Sequence, residues 1–170
     1  MSDFVPVNDI QPAPRPGFLK VLCILSFISL GFGAISSLTS LLNGPQSDDA
    51  MLEMKEQLSE SIDQMREQGS HGFADFFLQL QGLLVDTNDH HALSTGIGVF
   101  IVGLGFFSVI RMWNGQRLGF YLYIAYSLAS IFSMYLYVSS DHIPTAVPIF
   151  GLVISGIFIF MYSRNLHWMK

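Results

Sequence analysis

Residues 92–110 and 118–140 contain no Asp, Glu, Lys or Arg, and only Arg111-Met112-Trp113-Asn114-Gly115-Gln116-Arg117 separates the two runs. A helix needs about twenty apolar residues to cross the hydrocarbon core of a bilayer. Backbone groups in lipid must bond to one another, so a run of this kind is read as helix. The stretch between the runs has the chemistry of a tight hairpin at a membrane surface: Asn-Gly for the bend, Trp113 at headgroup level and two arginines in water.

Two further runs follow the same rule. The first, 18–43, begins near Lys20 and stops at Asn43-Gly44-Pro45; the last covers 143–163. The first run is too long for the apolar part of a signal peptide and lies behind a long polar stretch, so it is expected to be retained as a span. Hydrophobic residues make up 51% of the chain and charged ones 12%, about half the charged share of a soluble domain. The expected fold is therefore an all-α membrane protein of four transmembrane helices, with spans at 18–43, 92–112, 118–139 and 143–163. Short turns at 113–117 and 140–142 join the later spans, and 164–170 forms a tail. Small residues recur on the span faces, as Ser29, Gly33 and Ser37, as Gly98 and Gly105, and as Ala125, Ala129 and Ser133. Such positions let helix backbones approach closely.

Residues 44–91 differ in character. Ten of the thirteen carboxylates of the chain lie here against two bases, a local charge of −8. Met51, Met54, Leu58, Ile62 and Met65 recur at helical spacing among them, Gly69-Ser70-His71-Gly72 breaks the pattern, and Phe73, Phe76, Phe77, Leu80, Leu83 and Leu84 resume it. This predicts an extramembrane helical hairpin between the first and second spans. Its methionine-rich stripe either packs on the second arm or meets a partner, since methionine suits adaptable interfaces. Ahead of the first span, 1–17 carries Pro6, Pro12, Pro14 and Pro16, which favour an extended, polyproline-like tail and a second partner-binding stretch.

Arg15, Lys20, Arg111, Arg117, Arg164 and Lys170 fall on one side of a four-span layout, and Lys55 and Arg66 on the other. That distribution predicts cytoplasmic termini and an extracytoplasmic hairpin. The single cysteine, Cys23, permits no intrachain disulfide and reads as a small buried apolar residue.

For chemistry, Asp86, Asp89, His90 and His91 come together in sequence at the hairpin end of the second span, and Asp141 and His142 are expected at the same depth. Asp89, His90, Asp141 and His142 make the weak candidate for a metal site. The competing reading makes the Asp, Thr and Asn residues of 86–89 caps for the following helix, with carboxylates complementing its dipole. Adjacent His90 and His91 also point about 100° apart on a helix. No ionisable residue other than tyrosine or cysteine lies deep in a span, which argues against a self-contained pump or transporter. No phosphate loop or nucleophile elbow is present, and no basic patch fits nucleic acid.

The words Arg15-Pro16-Gly17-Phe18-Leu19-Lys20-Val21-Leu22-Cys23-Ile24-Leu25-Ser26-Phe27-Ile28, Met112-Trp113 and Leu118-Gly119-Phe120-Tyr121-Leu122-Tyr123-Ile124 resemble those of small four-span bacterial membrane proteins that carry no assigned activity. The likeness covers the spans and implies a bacterial inner membrane. The function expected is that of a non-enzymatic interaction protein without cofactor, an accessory or scaffold subunit whose partners are lipid and other membrane subunits or copies of itself. A homo-oligomeric channel lined by Ser36, Ser37, Thr39 and Ser40 is the second expectation, and a metal-dependent membrane enzyme the third.

Overall fold

A computed structural model of the protein describes residues 16–170; Pro12 and Pro14 lie outside the described residues, and Pro16 precedes the first helix. Among the described residues every regular element is helical: α1 (Gly17–Asn43), α2 (Asp48–Glu67), α3 (His71–Asp89), α4 (His91–Trp113), α5 (Arg117–Phe132) and α6 (Ala146–Ser163), with short 3₁₀ turns at Ser133–Leu136 and Ser140–His142. Four segments are long and apolar enough to cross a membrane: α1, α4, α6 and Arg117–Leu136, which joins α5 to its 3₁₀ turn. This is the mark of a multi-pass membrane protein.

Glycines in the left-handed region set two of the helix ends. After α2 the amide of Gly69 bonds to Arg66 O and that of Ser70 to Met65 O; after α4 the amide of Gly115 bonds to Met112 O and that of Gln116 to Arg111 O. Both pairs make the six-to-one and five-to-two bonds of a helix stop that needs positive φ, and Gly69 and Gly115 have φ of 76° and 74°.

The bundle is ordered by close backbone approach. At Gly119 an added Cβ would collide with the backbone of α4, at the amide of Met112 and the carbonyl of Ser108. At Gly105 it would strike Leu30 and Tyr126, which places α1 and α5 on two sides of α4. Gly33 lies against Val102, and Gly98 against Ser37. Gly33, Ser37, Gly98 and Gly105 thus sit where α1, α4 and α5 meet, whereas Ser29 is exposed and turns toward α5 and α6. The third stripe is placed otherwise. Ala125 is exposed and Ala129 and Ser133 are half-buried, while Gly119, Tyr123, Ser127 and Ile131 are buried. The two lines lie about 200° apart around the helix at 100° per residue, so a stripe of small residues was not a reliable mark of the packed face.

The densest core lies near the Arg111–Arg117 turn, where Leu19, Leu22, Cys23, Val109, Met112, Tyr123, Tyr162 and Met169 pack together. The tail beyond α6 closes this end. Arg117 donates its amide to Lys170 O and its Nε to Met169 O, Lys170 donates to Gly115 O, and Trp168 covers Gly115. The two arginines expected in water are thus both engaged, for Arg111 lies 4.7 Å from the centre of the Phe107 ring and donates to Gln116 Oε1.

Two span boundaries also differ from the expected ones. The third span leaves α-helical geometry after Phe132 and does not run unbroken to 139; Ser133 Oγ bonds back to Ser130 O, a contact that competes with the helical ladder. In the fourth, Pro144 precedes the helix, which begins at Ala146 and not at 143. Pro148 is then in the first turn, where the missing amide would have had no intrahelical acceptor.

We expect Gly119→Ala to destabilise the bundle by at least the ~1–3 kcal/mol of an overpacked core, because backbone rather than a flexible side chain stands in the way. Gly103→Ala, with nothing within 4 Å of its added methyl group, should be neutral. Thermal unfolding of both variants in mild detergent checks the contrast.

Candidate functional site

At the end opposite the basic turn, α3 runs into α4 with a single break at His90 (φ −103°, ψ 31°). It passes over the loop between α5 and α6: Gly82 packs against the ring of His142, and Phe73, Phe76 and Phe77 share a surface depression with Ala146. On its other side α3 packs along α2. Met51 and Ile62 are buried and Met54, Leu58 and Met65 half-buried, so the stripe faces its own chain. Gln81 Nε2 donates to Lys55 O and Ser59 Oγ, fixing the register of the two helices. Asn88 binds the linker before α2 at both backbone atoms of Gln46, accepting from its N–H at 2.7 Å and donating to its C=O at 3.3 Å.

The residues expected to cap α4 do something else. They form the last turn of α3, and no side chain caps α4 at His90. Thr87 donates to Leu83 O. Asp86 reaches across to the α5–α6 loop, where Oδ2 accepts from the Ser139 amide and from His142 Nδ1, each at 2.8 Å. The donors lie where they do because α3 crosses this loop, a placement that sequence spacing does not encode.

The metal candidates are not gathered. Asp89, His90 and Asp141 are exposed, His90 Nδ1 bonds to Asp86 O, and His142 is held by Asp86. Among the described residues no group of three or more His, Cys, Asp or Glu is placed to share one ion. His91 turns the opposite way. Its Nε2 lies 3.0 Å from Ser40 Oγ and 3.4 Å from Thr95 Oγ1, and the two hydroxyls are 2.9 Å apart. This triangle ties α1 to α4 and borders a vestibule of about 460 Å³ of mixed lining, with Ser36, Asn43, Thr87 and Asn88 beside Met51, Met54 and Leu84. Neutral hydroxyls, amides and one imidazole can exchange hydrogen bonds with a polar ligand or with water.

A second polar constellation lies inside the bundle. Ser26 Oγ and Tyr162 Oη are 2.9 Å apart where α1 meets α6, and beyond this pair a slot of about 140 Å³ opens between α1, α5 and α6. Neither the triangle nor the slot was legible beforehand. Each joins residues far apart in sequence, and serine or threonine in an apolar run is ordinary.

Comparison with protein-family models, with curated proteins and with solved structures finds no match to this chain.

Burial pushes the Asp86 carboxyl up, but the Ser139 amide, the hydrogen bond from His142 and the electrostatic pull of His142 and His90 outweigh it and hold the group below the ordinary carboxylate value. A depressed carboxylate stabilises the fold above its unfolded-state value, and the contribution disappears as pH falls through the lowered folded value. The Ser139 amide should therefore resist hydrogen exchange at neutral pH and lose that protection in acid below the usual carboxylate range. Asp86→Ala should lose it at every pH, which exchange mass spectrometry of the α5–α6 loop can read.

Proposed function

We propose that the chain is a non-enzymatic integral membrane interaction protein, an accessory or scaffold subunit of a larger assembly in a bacterial inner membrane. The observation that carries this reading is the exposure of α6. Tyr162 is its single buried residue, 6% of the helix, against a buried share of 28% or 33% in the apolar stretches of the other three spans. Ile149, Phe150, Val153, Ile157 and Phe160 recur at helical spacing, are exposed, and form an uncharged face. Helix association in lipid depends on van der Waals packing rather than on hydrophobic expulsion, and Gly156, exposed on this same side with nothing within 4 Å of an added Cβ, is the small residue at which a neighbouring helix can approach.

The channel reading receives less support. Ser40 bonds within the chain, and Ser37 lies against Gly98, so part of the hydroxyl face proposed as a pore lining is engaged between α1 and α4.

In the proposed orientation both termini and the Arg111–Arg117 turn are cytoplasmic, and the acidic α2–α3 hairpin is extracytoplasmic, as the distribution of basic residues favours. In a Cys23→Ala background a cysteine at the exposed position Ser61 should react with an impermeant thiol reagent in intact spheroplasts, and one at Asn114 should not; the reverse pattern would invert the assignment.

Purification in mild detergent should retain other membrane chains in fixed stoichiometry. Val153→Trp and Ile157→Trp together should release them while leaving thermal unfolding unchanged. A monodisperse wild-type monomer without partners would sink the proposal.

A further inference from the structure

The slot between α1, α5 and α6 combines features that acyl chains alone do not satisfy. Ser26, Ser29, Ser127, Ser130, Ser155 and Tyr126 contribute to its lining. Ser127 is 3% exposed, and no hydrogen bond to its hydroxyl is found among the described residues. Leaving a buried hydroxyl without a partner is unfavourable, because its desolvation is not offset. The residues contributed by α1 to the slot, Leu25 to Leu30, lie roughly 12–20 Å along that helix at 1.5 Å per residue, close to the middle of a hydrocarbon core about 30 Å thick. Bulk water and phospholipid headgroups are distant at that depth.

The slot also limits what can enter. Among the described residues no charged side chain lines it, so a charged group would enter without compensation. Its volume of about 140 Å³ is well below the 300 Å³ or more of an ordinary ligand pocket, enough for a small head but not for a whole amphiphile. Leu25 and Ile154 are about half exposed beside it, giving an apolar flank along which a chain can lie.

We propose that this slot binds the neutral, hydrogen-bond-accepting head of a lipid-soluble molecule, whose carbonyl or hydroxyl oxygen accepts from Ser127 while its apolar tail stays in the bilayer between α1 and α6. The Ser26–Tyr162 contact closes the slot toward the packed core. A quinone and a diacylglycerol both carry such oxygens, and the experiment separates them.

The full chain, purified in detergent, is titrated with decylubiquinone and separately with dioctanoylglycerol, and occupancy is followed by native mass spectrometry. Saturable binding of one molecule per chain by one of the two probes is expected, and the probe that binds names the source of the head. Ser127→Ala should weaken it roughly five- to tenfold, the loss of one hydrogen bond, and Ser155→Leu, which fills the slot, should abolish it. Thermal unfolding checks that the variants fold; should Ser155→Leu fail to, Ser29→Leu at the exposed rim takes its place. The proposal is overturned if neither probe saturates the wild-type chain, including the case where the slot holds water only, or if the filled variant binds as the wild type does. It is equally overturned if Ser127→Ala and Ser155→Leu release co-purifying chains while neither probe binds, because the slot would then receive a partner helix. Partner retention is a separate readout at the exposed α6 face, so failure of lipid binding leaves the subunit reading standing.

Discussion

The arrangement of the bundle depends on the contact between Gly119 and the backbone of α4. Two helices in an apolar solvent gain little by hiding apolar side chains from it, so their association rests on how many atoms they bring to van der Waals distance. A residue without Cβ placed against Met112 and Ser108 lets α5 lie on α4 along its length, and the Gly115 turn delivers it there. The side of α5 that carries Tyr123, Tyr126 and Ser127 follows from that seating. So does the position of Gly105, where Leu30 and Tyr126 converge from α1 and α5.

The two ends of the molecule are held by different forces. Near the basic turn, Leu19, Leu22, Val109, Met112 and Tyr162 are packed without access to solvent, and the 164–170 tail locks the turn through backbone carbonyls. At the other end the α2 and α3 helices bury Met51 and Ile62 between them, Asn88 binds the linker before α2 at Gln46, and the α5–α6 loop is held by Asp86 at Ser139 and His142 and by the packing of Gly82 on His142. The Arg66–Asp75 pair between α2 and α3 spans 3.8 Å between exposed side chains and contributes little. Dispersion is insensitive to pH, whereas a carboxylate clasp is not. The hold of α3 on the α5–α6 loop is therefore sensitive to pH in a way that the core is not.

Between these ends, α6 meets α1 at Ser26 and Tyr162, with the polar slot beside that contact. Its outer face carries the partner reading, and the slot carries the lipid reading. They use different surfaces and different chemistry: side-chain packing in one case, hydrogen bonding at depth in the other.

The existence of four long apolar helices and two helix stops was legible in the sequence because it depends on local quantities: runs free of charge, a period of 3.6, and glycines after Gln68 and Asn114 where positive φ is required. That 48–67 and 71–89 form helices was legible for the same reason, the methionine stripe being a pattern within one helix. The sequence could not tell which of several small-residue stripes meets a neighbour. Ala125, Ala129 and Ser133 are as regularly spaced and as exposed as Ser29, Gly33 and Ser37, yet Gly33 and Ser37 meet Val102 and Gly98 of α4 whereas the buried line of α5 runs through Gly119, Tyr123, Ser127 and Ile131. Nor could it show that Asp86 holds a loop instead of capping a helix, that His91 turns to Ser40 and Thr95, or that Ser127 is buried with no hydrogen-bond partner among the described residues. Periodicity establishes which residues share a face. Rotation and distance between helices, set here at Gly119, Gly105 and the 164–170 tail, decide what that face meets.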